Sequence, residues 1–215
     1  MRRGTFFLVG LLALLAWLGF RLSSRNVPPQ AGAAAPGERT PVCPWREPRR
    51  DLPALFPPAT NYTAETRILS NQMVPIQKRL GHAMTVDENP LRVFRVRDQE
   101  HWIGSVLLCR VKGEHGGIEI VTGVETNGTV RGVLIQSQRE PGAVAQVITN
   151  TSFLASFTGK SSTAPLRLGE DLPDVPVEVR ASAQAIADGV RSQLIVLSFA
   201  EQSLEARASG AHTNH

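Results

Sequence analysis

The sequence predicts an α+β domain built on an antiparallel sheet, joined to an N-terminal membrane anchor. Apolar and polar residues alternate in successive short segments between residues 91 and 138, a pattern typical of antiparallel strands. Asn127 and Gly128 separate the last two segments, and this dipeptide favours a tight hairpin. Helical spacing dominates only before and after this region. Because strands and helices do not alternate, the order argues against a parallel βαβ fold.

The charge of the chain is concentrated at its N-terminus. The formal net charge is +4 over 215 residues. Residues 1–51 hold eight arginines and three acidic residues, whereas residues 52–215 hold fifteen basic and sixteen acidic residues. A nucleic-acid-binding domain is expected to carry its own basic face. The near-neutral second part therefore argues against nucleic acid as a partner, and the basic start suits a membrane anchor.

Residues 5–20 form an uncharged apolar run between Arg3 and Arg21. As a helix it would span about 24 Å, short of a bilayer core of about 30 Å, and the flanking arginines can extend its reach by snorkelling. We therefore predict an anchor over residues 1–25. A cleaved signal peptide remains the alternative, although the Ala31 to Ala33 segment lies more than ten residues beyond the apolar run.

Composition divides the rest of the chain into a tether, a domain and a tail. Residues 26–58 hold nine prolines, which predicts an extended Pro-rich tether. Within it, Leu52, Leu55 and Phe56 are candidates for packing on the domain. We predict the domain over residues 59–205 and a disordered tail over residues 206–215.

Periodicity places the individual elements of the domain. Apolar spacing predicts a helix over Thr60–Leu80, kinked at Pro75 and ended by Gly81. The last helix is predicted to start just after Ser182, with Ile186 and Val190 on its apolar face. The predicted strands are Leu91–Val96, Trp102–Val111, Gly117–Val124 and Thr129–Gln138. The predicted short helices are Gly142–Asn150 and Ser152–Phe157.

The reactive side chains do not form a recognisable catalytic or metal site. Cys43 and Cys109 are the only cysteines; they form a disulfide or remain two thiols. His82, His101 and His115 lack the spacing of zinc ligands. No Gly-x-Ser-x-Gly nucleophile motif is present. The sequence therefore predicts no metal, and it contains no independent catalytic constellation; whether the protein is an enzyme stays open, with an electron-transfer subunit as the most that these residues indicate.

One combination of motifs points to a family. Strands rich in Gly and β-branched residues run over Gly113–Val133, followed by a corner at Pro141 and Gly142. Then come Phe153 and Phe157, the latter two residues before a Gly-Lys pair. In order and spacing this region resembles the FMN-binding domain of the G subunit of the Rnf complex and the C subunit of the sodium-pumping NADH:quinone reductase. The resemblance covers about residues 91–200.

The resemblance implies a subunit of a larger membrane electron-transfer complex. It implies a single transmembrane helix in the bacterial inner membrane, with the domain on the periplasmic side. Family members carry FMN on a threonine through a phosphoester bond, but in the preferred alignment Arg180 occupies that position. A second register places Ser182 there. With arginine, FMN would be held noncovalently. The alternative is a flavin-free accessory subunit that keeps the fold and docks on the complex.

The candidate cofactor residues lie at the corner, after the Gly-Lys pair and at the start of the last helix. Ser182 could cap that helix, whose free N–H groups favour anions, and Arg180 offers a fork suited to phosphate. Capping alone and an ordinary surface charge are the competing interpretations. Trp102 is expected in the core rather than against a flavin. The predicted cofactor-binding residues are Glu140, Gly142, Lys160, Ser161, Arg180 and Ser182.

Overall fold

A computed structural model describes residues 47–211. Five strands form one antiparallel sheet in the spatial order β1-β2-β3-β4-β5. The strands are β1 (Asn61–Arg67), β2 (Leu91–Asp98), β3 (His101–Lys112), β4 (Gly117–Glu125) and β5 (Val130–Gln138). The helices are α1 (Leu52–Leu55), α2 (Met73–Leu80), α3 (Gly142–Ile148), α4 (Thr151–Ala155) and α5 (Val177–Ala211). The α+β class and the antiparallel sheet flanked by helices are confirmed.

The four predicted strands correspond to β2–β5, and the two predicted short helices correspond to α3 and α4. The hairpin between β4 and β5 turns at Gly128, which has φ +82°. Glycine reaches this left-handed conformation without steric cost. Local alternation and turn chemistry were sufficient to predict this part of the fold because each strand pairs with its neighbour in sequence.

The predicted helix over Thr60–Leu80 is wrong in its first half. Asn61–Arg67 forms the edge strand β1, paired with β2 along its whole length. A short 3-10 helix, Ser70–Gln72, then leads into α2. Pro75 does not kink α2 because it lies in the first turn, where backbone N–H groups have no intrahelical partner. Gly81 ends the helix as predicted, with φ +84°.

The last helix begins earlier than predicted. α5 starts at Val177, directly after Pro176, so Ser182 lies in its second turn and does not cap it. Val179 and Ala183 are buried and extend the apolar stripe towards the N-terminus, which explains why the helix starts before Ser182. At the other end α5 continues to Ala211. Residues 206–211 are therefore part of this helix, whereas the sequence predicts a disordered tail over residues 206–215.

The sheet has a different cover on each face. Helices α2–α5 pack on one face around the larger apolar core, and α5 lies across β3 and β4. The other face is covered by Leu52, Leu55 and Phe56, so residues from Pro48 onward belong to the packed domain and not to the tether. Phe56 fits over two glycines: a Cβ at Gly104 would lie 2.6 Å from its ring and one at Gly123 would lie 3.2 Å from it.

The predicted anchor at residues 5–20, most of the predicted tether and Cys43 lie outside the described residues. Within residues 47–211, none of the helices combines the length and apolar character needed to cross a membrane.

Candidate functional site

Glu140 is one of two buried residues among the predicted cofactor residues; the other is Ser182. Glu140 follows β5, and its side chain has no solvent exposure. Its carboxylate accepts hydrogen bonds from the backbone N–H groups of His115 (3.2 and 3.3 Å) and Gly116 (3.2 Å). The His115 Nδ1 atom lies 3.1 Å from Oε2. The turn between β3 and β4 thus surrounds this carboxylate with donors.

Ser182 completes the same cluster from α5. Its side chain is buried, its hydroxyl bonds to Glu140, and its Oγ accepts from the N–H of Glu114 at 3.0 Å. A Cβ at Gly113 would lie 2.2 Å from Glu140 Oε1, so only glycine allows this close approach. We call Gly113–Gly116, Glu140 and Ser182 the closed cluster, because its polar groups bond to one another.

The environment of Glu140 favours the charged carboxylate. Burial acts first and raises the pKa, but hydrogen bonds from the His115 side chain and backbone, from Ser182 and from Gly116 together outweigh it. The net effect is a pKa of Glu140 below its usual value. The closed cluster is therefore an internal anion site that the buried carboxylate of Glu140 itself fills.

The two predicted cations lie elsewhere and contact acidic residues of one loop. Arg180, half-exposed on the first turn of α5, forms an ion pair with Asp174 (Nη2 to Oδ1, 2.5 Å). Lys160 Nζ lies 3.7 Å from Asp171 Oδ2. The pKa of Asp171 is lowered: burial, the largest influence, raises it, but bonds from backbone N–H groups and the charge of Lys160 outweigh this.

The remaining two candidates, Ser161 and Gly142, do not belong to the closed cluster. Ser161 Oγ lies 2.9 Å from Thr163 Oγ1, and Gly142 is exposed at the start of α3. Of the six predicted residues, the structure brings Glu140 and Ser182 into contact and gives Arg180 and Lys160 separate carboxylate partners. Trp102, expected in the core, is 41% exposed, and the Arg95 guanidinium lies 5.1 Å from its ring centre.

An apolar groove lies between α5, β3 and the segment 82–91 that follows α2. Its volume is ≈280 Å³. Gly189 lets α5 approach the sheet closely, because a Cβ there would lie 2.6 Å from Val111 Cγ1. The apolar residues that line the groove include Leu91, Leu107, Val111, Ala185 and Val196.

Gln193 supplies the buried polar contact in the wall of this groove. With its amide oxygen turned to β3, it accepts from the N–H groups of Leu108 (3.3 Å) and Cys109 (3.2 Å), and its amide nitrogen donates to Thr122 at 2.6 Å. These bonds connect α5 to the sheet and hold the groove in shape.

A polar cavity of ≈550 Å³ lies along the neighbouring stripe of α5. Three arginines from separate parts of the chain line it: Arg79 from α2, Arg167 from the loop after α4, and Arg191 from α5. We call this the arginine cavity. Asp188 lines both this cavity and the apolar groove. The arginines were missed from sequence because they lie far apart in the chain and each resembles an ordinary surface charge.

No group of three or more His, Cys, Asp or Glu side chains among the described residues is arranged to hold a metal ion. No protein-family model matches the chain, and no curated protein is significantly similar to it.

Proposed function

We propose that this protein is a membrane-tethered, FMN-binding-type subunit of an electron-transfer complex, with the flavin held noncovalently. The observation that carries the proposal is the apolar groove between α5 and β3. Ligand sites are typically concave and mainly apolar, with volumes of about 300–1,000 Å³ and a few polar groups that fix orientation. The groove, at ≈280 Å³, lies at the lower limit of that range, so we propose that it holds the ring system and not the whole cofactor. The resemblance to FMN-binding domains is the reason for proposing that this ring system is the flavin of FMN.

The apolar part of the lining fits a flavin ring in chemical type, and five charged residues also line the groove: Asp87, Glu88, Arg110, Lys112 and Asp188. Leu107, Val111 and Val196 supply apolar walls. Ala185 and Gly189 are small residues of α5 and leave space in the groove. A bound flavin would supply one-electron and two-electron transfer. The protein's own contribution is to bind the ring, to orient it and to exclude water from one side.

The residue types at the start of α5 favour noncovalent over covalent binding of a flavin. Arg180 has no hydroxyl and cannot form the phosphoester bond of the family. Ser182 has a hydroxyl, but it is buried and bonded to Glu140 and to the Glu114 N–H. Neither alignment of the family threonine therefore offers an exposed hydroxyl for attachment.

A second candidate is the flavin-free accessory subunit. The closed cluster favours it, because the corner that resembles the family's cofactor-binding corner is filled by Glu140. In that case the domain would serve as a docking scaffold on a larger membrane complex.

Flavin extraction combined with intact mass spectrometry tests both candidates. Full-length protein purified in detergent is expected to take up added FMN, to show a flavin absorption band, and to release FMN on acid denaturation without a change in polypeptide mass. A folded, colourless protein that takes up no added FMN would leave only the accessory role. FMN attached to the polypeptide would show that binding is covalent.

A further inference from the structure

We propose that the arginine cavity is a binding site for a phosphate monoester. It lies next to the apolar groove and shares Asp188 with it. The identification of the phosphate as that of FMN rests on the function proposed above, whereas the anion site itself does not.

The charge of the cavity matches a doubly charged anion. Among the described residues that line it, Arg79, Arg167 and Arg191 are basic and Asp188 is acidic. The lining therefore has a formal charge of +2, and a phosphate monoester carries a charge of about −1.5 to −2 at neutral pH. Guanidinium groups around one cavity repel one another, and a bound dianion would relieve that repulsion.

Two of the guanidinium groups are held in place by backbone atoms. Arg79 Nη2 donates to the carbonyl oxygen of Ser162 at 3.1 Å. Arg191 Nη2 donates to the carbonyl oxygen of Arg79 at 3.4 Å. Each bond uses one nitrogen of a group that carries five N–H donors, so the same contacts that position the guanidinium groups leave donors for phosphate oxygens.

The cavity also contains neutral donors. Ser162 and Thr163 line it beside the arginines, and hydroxyl groups commonly add to phosphate binding. Arg167 lies 3.4 Å from Glu170 across an exposed ion pair. Such pairs contribute little in water, so Arg167 can turn to a ligand at low cost.

Replacing Asp188 tests the proposal through a gain in ligand affinity instead of a loss. Asp188 lines the cavity, and its Oδ1 accepts a hydrogen bond from Gln184 Nε2 at 2.9 Å. Its negative charge opposes a phosphate. An amide at this position keeps an acceptor for Gln184 but removes the charge, so the change should strengthen binding of a phosphorylated ligand.

The experiment compares FMN, riboflavin and inorganic phosphate on the full-length chain. Flavin affinity is measured by quenching of flavin fluorescence, and phosphate affinity by calorimetry. Wild-type protein is expected to bind FMN at least about ten-fold more tightly than riboflavin, the size expected for charge-assisted hydrogen bonds. Arg79→Gln and Arg191→Gln should each remove most of that difference and leave riboflavin binding unchanged.

Two further variants separate a specific effect from misfolding. Asp188→Asn should raise FMN affinity by about three-fold, a gain that loss of structure cannot produce. Arg50→Gln, a charge-matched change at an exposed arginine of the N-terminal segment, should change nothing.

The outcomes distinguish the two proposals. Equal affinity for FMN and riboflavin would overturn the phosphate site while leaving a flavin-binding function. Arginine-dependent binding of inorganic phosphate without flavin binding would support the anion site and overturn the flavin. Absence of binding for all three ligands would overturn both.

Discussion

The closed cluster and the arginine cavity each include residues of α5, but the charges in the first are paired within the protein and the positive charges in the second surround an open space. In the closed cluster, Glu140 is buried and meets donors from the β3–β4 turn and from Ser182. In the arginine cavity, like charges face a shared space. A polar group satisfied by its own chain contributes to folding, whereas converging charges with spare donors indicate a ligand. For this reason we propose the arginine cavity as the ligand site, and not the residues Glu140 and Ser182 that the family motif indicated.

Removing the Glu140 side chain should cause the largest loss of folding stability. Glu140→Ala leaves the part-buried N–H groups of His115 and Gly116 and the buried hydroxyl of Ser182 without their acceptor, and we expect a loss of about 3 kcal/mol in the free energy of unfolding. Chemical denaturation measures it. Ser137→Ala, at an exposed position of β5, is the matched control. If Glu140→Ala were as stable as the control, the cluster would not be a structural element.

Filling the space between α5 and the sheet at Gly189 should cause the second-largest loss of stability. Gly189→Ala places a Cβ 2.6 Å from Val111, and overpacking of this kind costs about 2 kcal/mol. Thermal unfolding would show the loss. Because Gly189 also lines the groove, flavin affinity should fall at temperatures where the variant is still folded. Unchanged affinity in the folded variant would place the flavin ring elsewhere.

Acid should weaken the closed cluster selectively. The folded-state pKa of Glu140 lies below its usual value, so its stabilisation is present above the unfolded-state pKa and is lost as pH falls through the folded-state pKa. Wild-type protein should therefore lose more stability than Glu140→Gln when pH drops below about 4.5. Denaturation curves of the two proteins over this range provide the measurement. Parallel pH profiles would contradict the assignment.

The smallest effect is expected at Arg180, the residue that the sequence favoured for phosphate. Its ion pair with Asp174 is exposed, so Arg180→Gln should change the free energy of unfolding by no more than about 0.5 kcal/mol. FMN affinity should also stay within experimental error of the wild type, in contrast to Arg191→Gln. A large loss of FMN affinity in Arg180→Gln would indicate that the phosphate binds at the N-terminus of α5 and not in the arginine cavity.

The parts of the fold that follow from sequence are those with local causes. β2–β5 were predictable because alternation and the Asn127-Gly128 turn act between neighbours. β1 was missed because an exposed edge strand needs little apolar alternation, and Ile68 and Leu69 extended a helical pattern beyond its true start. Arg79 and Arg191 meet across 112 residues of chain, and no local pattern encodes that contact. The same applies to the bonds between Glu140 and the β3–β4 turn.

The position of Phe56 has a practical consequence for protein production. Composition suggests cutting the chain before Ala59, but that cut would remove the ring from above Gly104 and Gly123 and leave one face of the sheet bare. A bare sheet face of this kind favours aggregation, and the recovered material would be colourless whether or not the intact protein binds flavin. Expression should therefore begin upstream of Pro48.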